Sequence, residues 1–268
     1  MKNETVNMEK VERRGRPKMQ VISTTLDPTT ISLIRGNELH FNDSLFKPLK
    51  TNTELDVILS TEGGLMPGVS MMIAGGPGSG KSTLVLDALA KLTQQGYKCL
   101  LIQGEMDQIG HFKYCKRIPA FGCVQTLFLK EYIDNIKEVI EYVFDLGYDV
   151  VGIDSIAELL DMYRNQNGGT AKQAETWFLK LQDKVKKGGN SKEYYTSFIN
   201  IQQFTKGDEF AGSNRLKHMM EAYAEVNRSK DGLERTIYFE KNRDCDKDFK
   251  IFFSIYNDGV YFSYEMEE

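Results

Sequence analysis

Gly75-Gly76-Pro77-Gly78-Ser79-Gly80-Lys81-Ser82 is the stretch on which the fold turns. It fits G-x-x-x-x-G-K-[ST] at every fixed position, the pattern of a phosphate-binding loop. The glycines let backbone N–H groups turn inward around a β-phosphate, where a Cβ would obstruct them. A helix starting near Lys81 adds its positive dipole end. Lys81 is expected to reach the β- and γ-phosphates and the Ser82 hydroxyl to bind Mg²⁺. Gly75 to Thr83 is thus read as the segment that holds ATP. The competing reading is a glycine-rich turn with a chance lysine. Context decides against it. The apolar run Val69 to Ala74 precedes the loop as a strand, and Ser82 to Gln95 follows with helical spacing at Val85, Leu89 and Leu92 before Gly96.

Outward from the loop, strands and helices alternate, which predicts an α/β fold with a largely parallel sheet and helical crossovers. Cys99 to Ile102 and Val150 to Ile153 read as buried strands, and Phe198 to Ile201 as another. Ile133 to Leu146 reads as a helix closed by Gly147, and a second helix carries Ala174, Trp177, Phe178, Leu181 and Val185. Phe249 to Tyr256 and Val260 to Tyr264 flank Asn257-Asp258-Gly259, a hairpin signal. Asp154 closes its strand where a carboxylate beside the phosphate loop can hold Mg²⁺ through its water shell. Glu105, in Gln103-Gly104-Glu105-Met106, is placed either to polarise an attacking water or simply to be a solvated loop acid.

The 268 residues suffice for one such domain plus an appendage. Residues 1–50 are read as a basic tail and small extension, and 51–268 as the main domain. The apolar runs are too short to span a membrane, and the charged first twelve residues predict no signal peptide. Four scattered cysteines form no C-x-x-C pair, so a reducing, cytoplasmic setting is expected. A net charge of −4 means that any contact with nucleic acid must use local basic patches.

Glu54-Leu55-Asp56 and Glu62-Gly63-Gly64-Leu65-Met66-Pro67-Gly68, leading into the phosphate loop, resemble the entry to a RecA-superfamily core. In that superfamily a glutamate after the second core strand is the catalytic base, which favours the catalytic reading of Glu105. Phe204-Thr205-Lys206-Gly207, Ala211-Gly212 and Leu216-Lys217-His218-Met219 are similar to the T-K-x-G…A-G…L-x-H-M segment of the RadA/Sms branch-migration ATPases. Lys241-Asn242-Arg243 is similar to their K-N-R motif, and the resemblance covers roughly residues 51–264. It implies a RecA-like core: a mostly parallel twisted sheet flanked by helices, with the C-terminal β-hairpin. Gly104-Glu105-Met106 also resembles replicative helicases of the DnaB type. The glycine that ends the family's K-N-R-F-G motif is absent, since Asp244-Cys245 follows Arg243. The family's zinc finger and protease-like domain have no counterpart either, so a pared-down core of the kind phages encode is expected.

The superfamily implies further roles. Gln203 sits where a polar residue contacts the γ-phosphate and relays its state to the next loop; the plainer reading is a polar strand end. Lys241 and Arg243, two apart on a predicted strand, would project together toward a neighbouring subunit's γ-phosphate in a ring or filament. The alternative there is a solvated basic edge. Two loops, Arg164 to Lys172 and Lys206 to Lys217, would meet single-stranded DNA, with Lys172, Lys206, Arg215 and Lys217 neutralising phosphates. Arg14-Gly15-Arg16-Pro17 resembles the core of an AT-hook, in which Arg14 and Arg16 would lie in an AT-rich minor groove; the plainer reading is a basic linker. His218 and Trp177 are read as packing residues. The function expected is a DNA-dependent ATPase of recombination, repair or replication, working as a homo-oligomer with Mg-ATP. The rivals are a DnaB-type helicase core, an ATP-binding annealing or mediator protein, and a KaiC-like signalling ATPase.

Overall fold

The computed structural model describes residues 33–204, 213–230, 232, 234–245 and 250–264. They divide into two units, one ending at Phe41 and one beginning at Asn42. In the first, Gly36–Glu38 form a single 3₁₀ turn.

The second unit is built on a nine-stranded sheet. Its elements in chain order are α1 (Leu55–Leu59), β1 (Ser70–Gly75), α2 (Lys81–Gln94), β2 (Cys99–Gln103), α3 (Gln108–Arg117), β3 (Gln125–Phe128) and α4 (Ile136–Asp145). There follow β4 (Val150–Asp154), α5 (Ile156–Asn167), α6 (Ala171–Lys186), β5 (Ser197–Gln203), α7 (Asn214–Met219), β6 (Ala222–Arg228), β7 (Arg235–Asn242), β8 (Lys250–Tyr256) and β9 (Gly259–Tyr264). The spatial order is β3-β2-β4-β5-β1-β6-β7-β8-β9. Every pairing from β3 to β6 is parallel, and β6 to β9 run antiparallel. Before α1, Leu49 forms an antiparallel bridge with Leu65.

Burial follows from pleating. Strands β1, β2 and β4 are buried at every residue, as parallel strands covered on both faces must be. Successive side chains of β1 alternate between two cores. Met71 and Ile73 pack with Leu84, Leu89 and Leu92 of α2, whereas Met72 and Ala74 pack with Ile140 and Phe144 of α4 and Phe178 of α6. This is the RecA-like P-loop core, and the expected C-terminal hairpin is β8 and β9 around Asn257-Asp258; Phe249 lies outside the described residues. No helix among the described residues is long and apolar enough to cross a membrane.

Three local expectations are corrected. The helix read from Ile133 begins as a 3₁₀ turn, and its α portion starts at Ile136. The long loop from Arg164 to Lys172 is a tight helical hairpin instead. Arg164 pairs with Asp161 on α5 at 2.8 Å, and Lys172 sits in the first turn of α6. Only residues 168–170 connect the two helices, and Thr170 with Gln173 forms a capping box that fixes where α6 starts. Arg243 lies beyond β7, so it is not on the same strand as Lys241. Trp177 packs as expected, stacked 4.0 Å from Tyr163 with its indole N–H on Glu141 at 3.0 Å.

Candidate functional site

The sheet order brings the carboxyl ends of β2, β4, β5 and β1 side by side, where open α/β sheets place their ligands. Gln103 pairs with Asp154 and Gly75 with Gln203 across neighbouring strands, so residues far apart in sequence stand level at one rim. The result is a cleft of about 510 Å³ lined by Lys81, Ser82, Thr83, Glu105, Asp154 and Gln203.

The phosphate loop joins β1 to α2, and Gly80 caps that helix at φ +106°, a conformation that disfavours any residue with a Cβ. Lys81 is 7 % exposed and donates to the carbonyl oxygens of Gly75 and Gly76, both at 2.8 Å. Burial pulls its pKa below the ordinary lysine value, against the opposing pull of Glu105 and Asp154. Those carbonyls hold the ammonium against the loop until an anion arrives.

Asp154 is 2 % exposed, and its Oδ1 has no hydrogen-bond partner. Its Oδ2 faces the Gln103 side-chain amide at 3.5 Å. Desolvation pushes its pKa up to about 6, with the Ser82 hydroxyl acting the other way. A buried carboxylate oxygen without a partner, beside a hydroxyl, is the hard-oxygen set that Mg²⁺ takes, so Ser82 and Asp154 fit that ion.

The sign of the pH dependence follows. Folding raises the Asp154 pKa above its ordinary 3.8, so the stability of the nucleotide-free protein should fall as pH rises through the window up to about 6. A cation held by Asp154 would need the carboxylate, so binding of Mg-nucleotide in this cleft should strengthen across the same window. Thermal melts with and without Mg-ATP, from about pH 4 to about pH 8, should show a ligand-induced Tm increment that grows as pH rises through about 6 and then levels off. A constant increment would contradict the assignment.

Glu105 and Gln203 meet directly, the Gln203 amide donating to Glu105 Oε1 at 2.7 Å. Glu105 is therefore engaged in the cleft and is not a free loop acid. The turn that carries it is closed against β4, with Gly104 N–H on the Asp154 carbonyl at 2.7 Å. A Cβ on Gly104 would lie 2.9 Å from Glu158 Cβ, so the turn can approach α5 only with glycine there.

Several lining residues carried no sequence signal. Arg235, at the start of β7, reaches the phosphate loop beside Gly80, with its Nε buried and unpartnered. Burial lowers its pKa, and Arg228 opposite adds to the effect. Tyr114 and Arg117 of α3 form another wall, the guanidinium 4.6 Å from the ring centroid.

Lys241 and Arg243 are elsewhere. Lys241 is level with Tyr223, and Tyr223 with Met72, toward the opposite end of the sheet from the phosphate loop. Its ammonium donates to the carbonyls of His218, at 3.0 Å, and Met220. The amide of Asn242 clamps the end of α1 through the carbonyls of Ile58 and Leu59, at 2.9 and 3.1 Å. Arg215 donates to Thr176 at 2.7 Å, and Lys217 is paired with Glu240 and lies over the Tyr223 ring. Arg14, Arg16 and Lys206 lie outside the described residues.

Comparison with known proteins agrees with this geometry. The chain is 29 % identical over 198 residues to DNA repair protein RadA of Chlamydia pneumoniae, covering 74 % of this chain and 42 % of that protein. It is 31 % identical over 170 residues to DNA repair protein RadA of Campylobacter jejuni, covering 63 % of this chain and 36 % of that protein. The chain thus spans less than half the length of these curated relatives. Among solved structures, the flagellar accessory protein FlaH of Methanocaldococcus jannaschii shares the fold, with a TM-score of 0.60 at 13 % identity over 82 % of this chain and 100 % of that one. No family model matches the chain.

Proposed function

We propose that this chain is a Mg-ATP hydrolase of the RadA kind, serving DNA recombination or repair as a homo-oligomer on single-stranded DNA. The observation that carries the reading is the 2.7 Å contact between Gln203 and Glu105, inside the cleft that also holds Lys81 and Asp154. A carboxylate there can take the proton of an attacking water. The amide bonded to it can exchange that partner for a γ-phosphate oxygen, linking hydrolysis to the segment after β5. Lys81 leaves its two carbonyls for the β- and γ-phosphates, while Ser82 and Asp154 hold the metal. Bound Mg²⁺ supplies neutralisation of the phosphate charge.

The similarity to RadA favours DNA as the partner. The Arg243 N–H donates to the Glu221 carbonyl, and the Glu221 N–H to the carbonyl of Ser70 at the start of β1, away from the phosphate loop that follows Gly75; this favours action on a neighbouring subunit. The test is ATP hydrolysis with and without single-stranded DNA. Stimulation is expected, and turnover indifferent to DNA would remove the DNA reading. Arg243→Ala is expected to lower turnover by about 10³-fold or more with nucleotide affinity kept, the scale of an arginine supplied in trans. Wild-type turnover in that variant would end the trans role. Strand displacement from a forked duplex would instead favour a helicase.

A further inference from the structure

Gln103 is the last residue of β2, 1 % exposed, and its carboxamide touches both halves of the catalytic centre. Its Oε1 accepts the backbone N–H of Glu105 at 2.9 Å and of Met106 at 3.0 Å. Its Nε2 faces Asp154 Oδ2 at 3.5 Å. The main chain closes the same turn, because the Asp154 carbonyl accepts from Gly104 at 2.7 Å and Glu105 at 3.3 Å. Only a side chain with both a donor and an acceptor can serve the amides and the carboxylate together. A glutamate would set one carboxylate against another, and an apolar side chain would leave the half-buried Met106 N–H without its acceptor.

We propose that Gln103 is a positioning residue that ties the Glu105 turn to the metal carboxylate Asp154, fixing where the base stands relative to the ion. The inference rests on the reading of Glu105 as the base. It needs no contact between Gln103 and nucleotide, and Gln103 is not among the residues that line the cleft. Its effect should therefore appear in kcat and not in nucleotide affinity.

The experiment uses the full chain with Gln103→Met, Glu105→Gln and the double variant. In nucleotide-free Gln103→Met, hydrogen exchange at the Met106 amide is expected to rise by about fivefold or more, the scale of one lost hydrogen bond. Its kcat should fall by about 10- to 100-fold, the cost of a small misplacement of a reacting group, with Mg-ATP affinity kept. Added to Glu105→Gln, the change should lower turnover no further, because a residue acting through Glu105 has nothing left to position. Wild-type kcat, equal losses in kcat and affinity, or multiplicative losses in the double variant would each overturn the proposal. Should Gln103→Met not fold, Gln103→Glu replaces it: the amide acceptor remains, the donor to Asp154 is lost, and an unchanged kcat would be decisive against the tether. A wild-type protein that neither binds nor hydrolyses Mg-ATP would instead overturn the proposed function itself, a distinguishable result.

Discussion

Lys81→Ala is expected to lower ATP turnover by about 10³-fold or more and to weaken Mg-ATP binding with it, since it removes the ammonium that the proposed function assigns to the transferring phosphate. The fold should survive. Burial already works against the charge of Lys81, and its bonds run only to the loop carbonyls of Gly75 and Gly76. The loop itself is set by the β1–α2 connection and the left-handed turn at Gly80, which the substitution leaves intact. A fluorescent-nucleotide titration beside a phosphate-release assay separates binding from chemistry. Retention of wild-type hydrolysis would falsify the assignment of this cleft as the nucleotide site.

The second large effect is expected from Glu105→Gln. Turnover should fall by about 10²- to 10⁴-fold, the usual contribution of a positioned general base. The glutamine keeps the shape of the side chain and an oxygen that can still accept from Gln203, so nucleotide affinity should stay close to the wild-type value. The variant should then trap the protein with ATP bound. That separation from Lys81→Ala, where binding and turnover are lost together, is the informative comparison. Parallel loss of affinity in both variants would make Glu105 a structural acid.

The core of this site was readable because its chemistry is local in sequence. The phosphate loop spans eight consecutive residues, and Asp154 announces itself by closing an apolar run. Glu105 could be singled out from its place after a strand but not decided, and Gln203 was legible only through resemblance, since what joins them is the pairing of β2, β4, β5 and β1, a long-range property. Gln103 was quoted in the sequence reading but given no role, because a glutamine at a strand end looks like any polar residue until the turn folds over it. Arg235 was missed for a related reason: its place beside Gly80 depends on the antiparallel β6–β7 pairing, and β6 carries Glu225 within an otherwise mostly apolar run. The α5–α6 hairpin was a different kind of miss. Gly168 and Gly169 between Arg164 and Lys172 suggest a loop, although Thr170-Ala171-Lys172-Gln173 carries a capping-box signature that marks a helix start.

The anchoring of Lys241 has a consequence for any assembly. Its ammonium is already committed to the carbonyls that end helix α7, and burial lowers its pKa there. If the proposed homo-oligomer presents a neighbour's phosphate here, that phosphate would recruit Lys241 only by prising it from those oxygens, which would unlatch the short helix α7. Arg243, past the end of the strand, meets no such toll. In the assembly proposed above, Arg243 would reach across without giving up a bond of this kind, whereas Lys241 would act as a catch whose release tells its own subunit that a neighbour has loaded fuel.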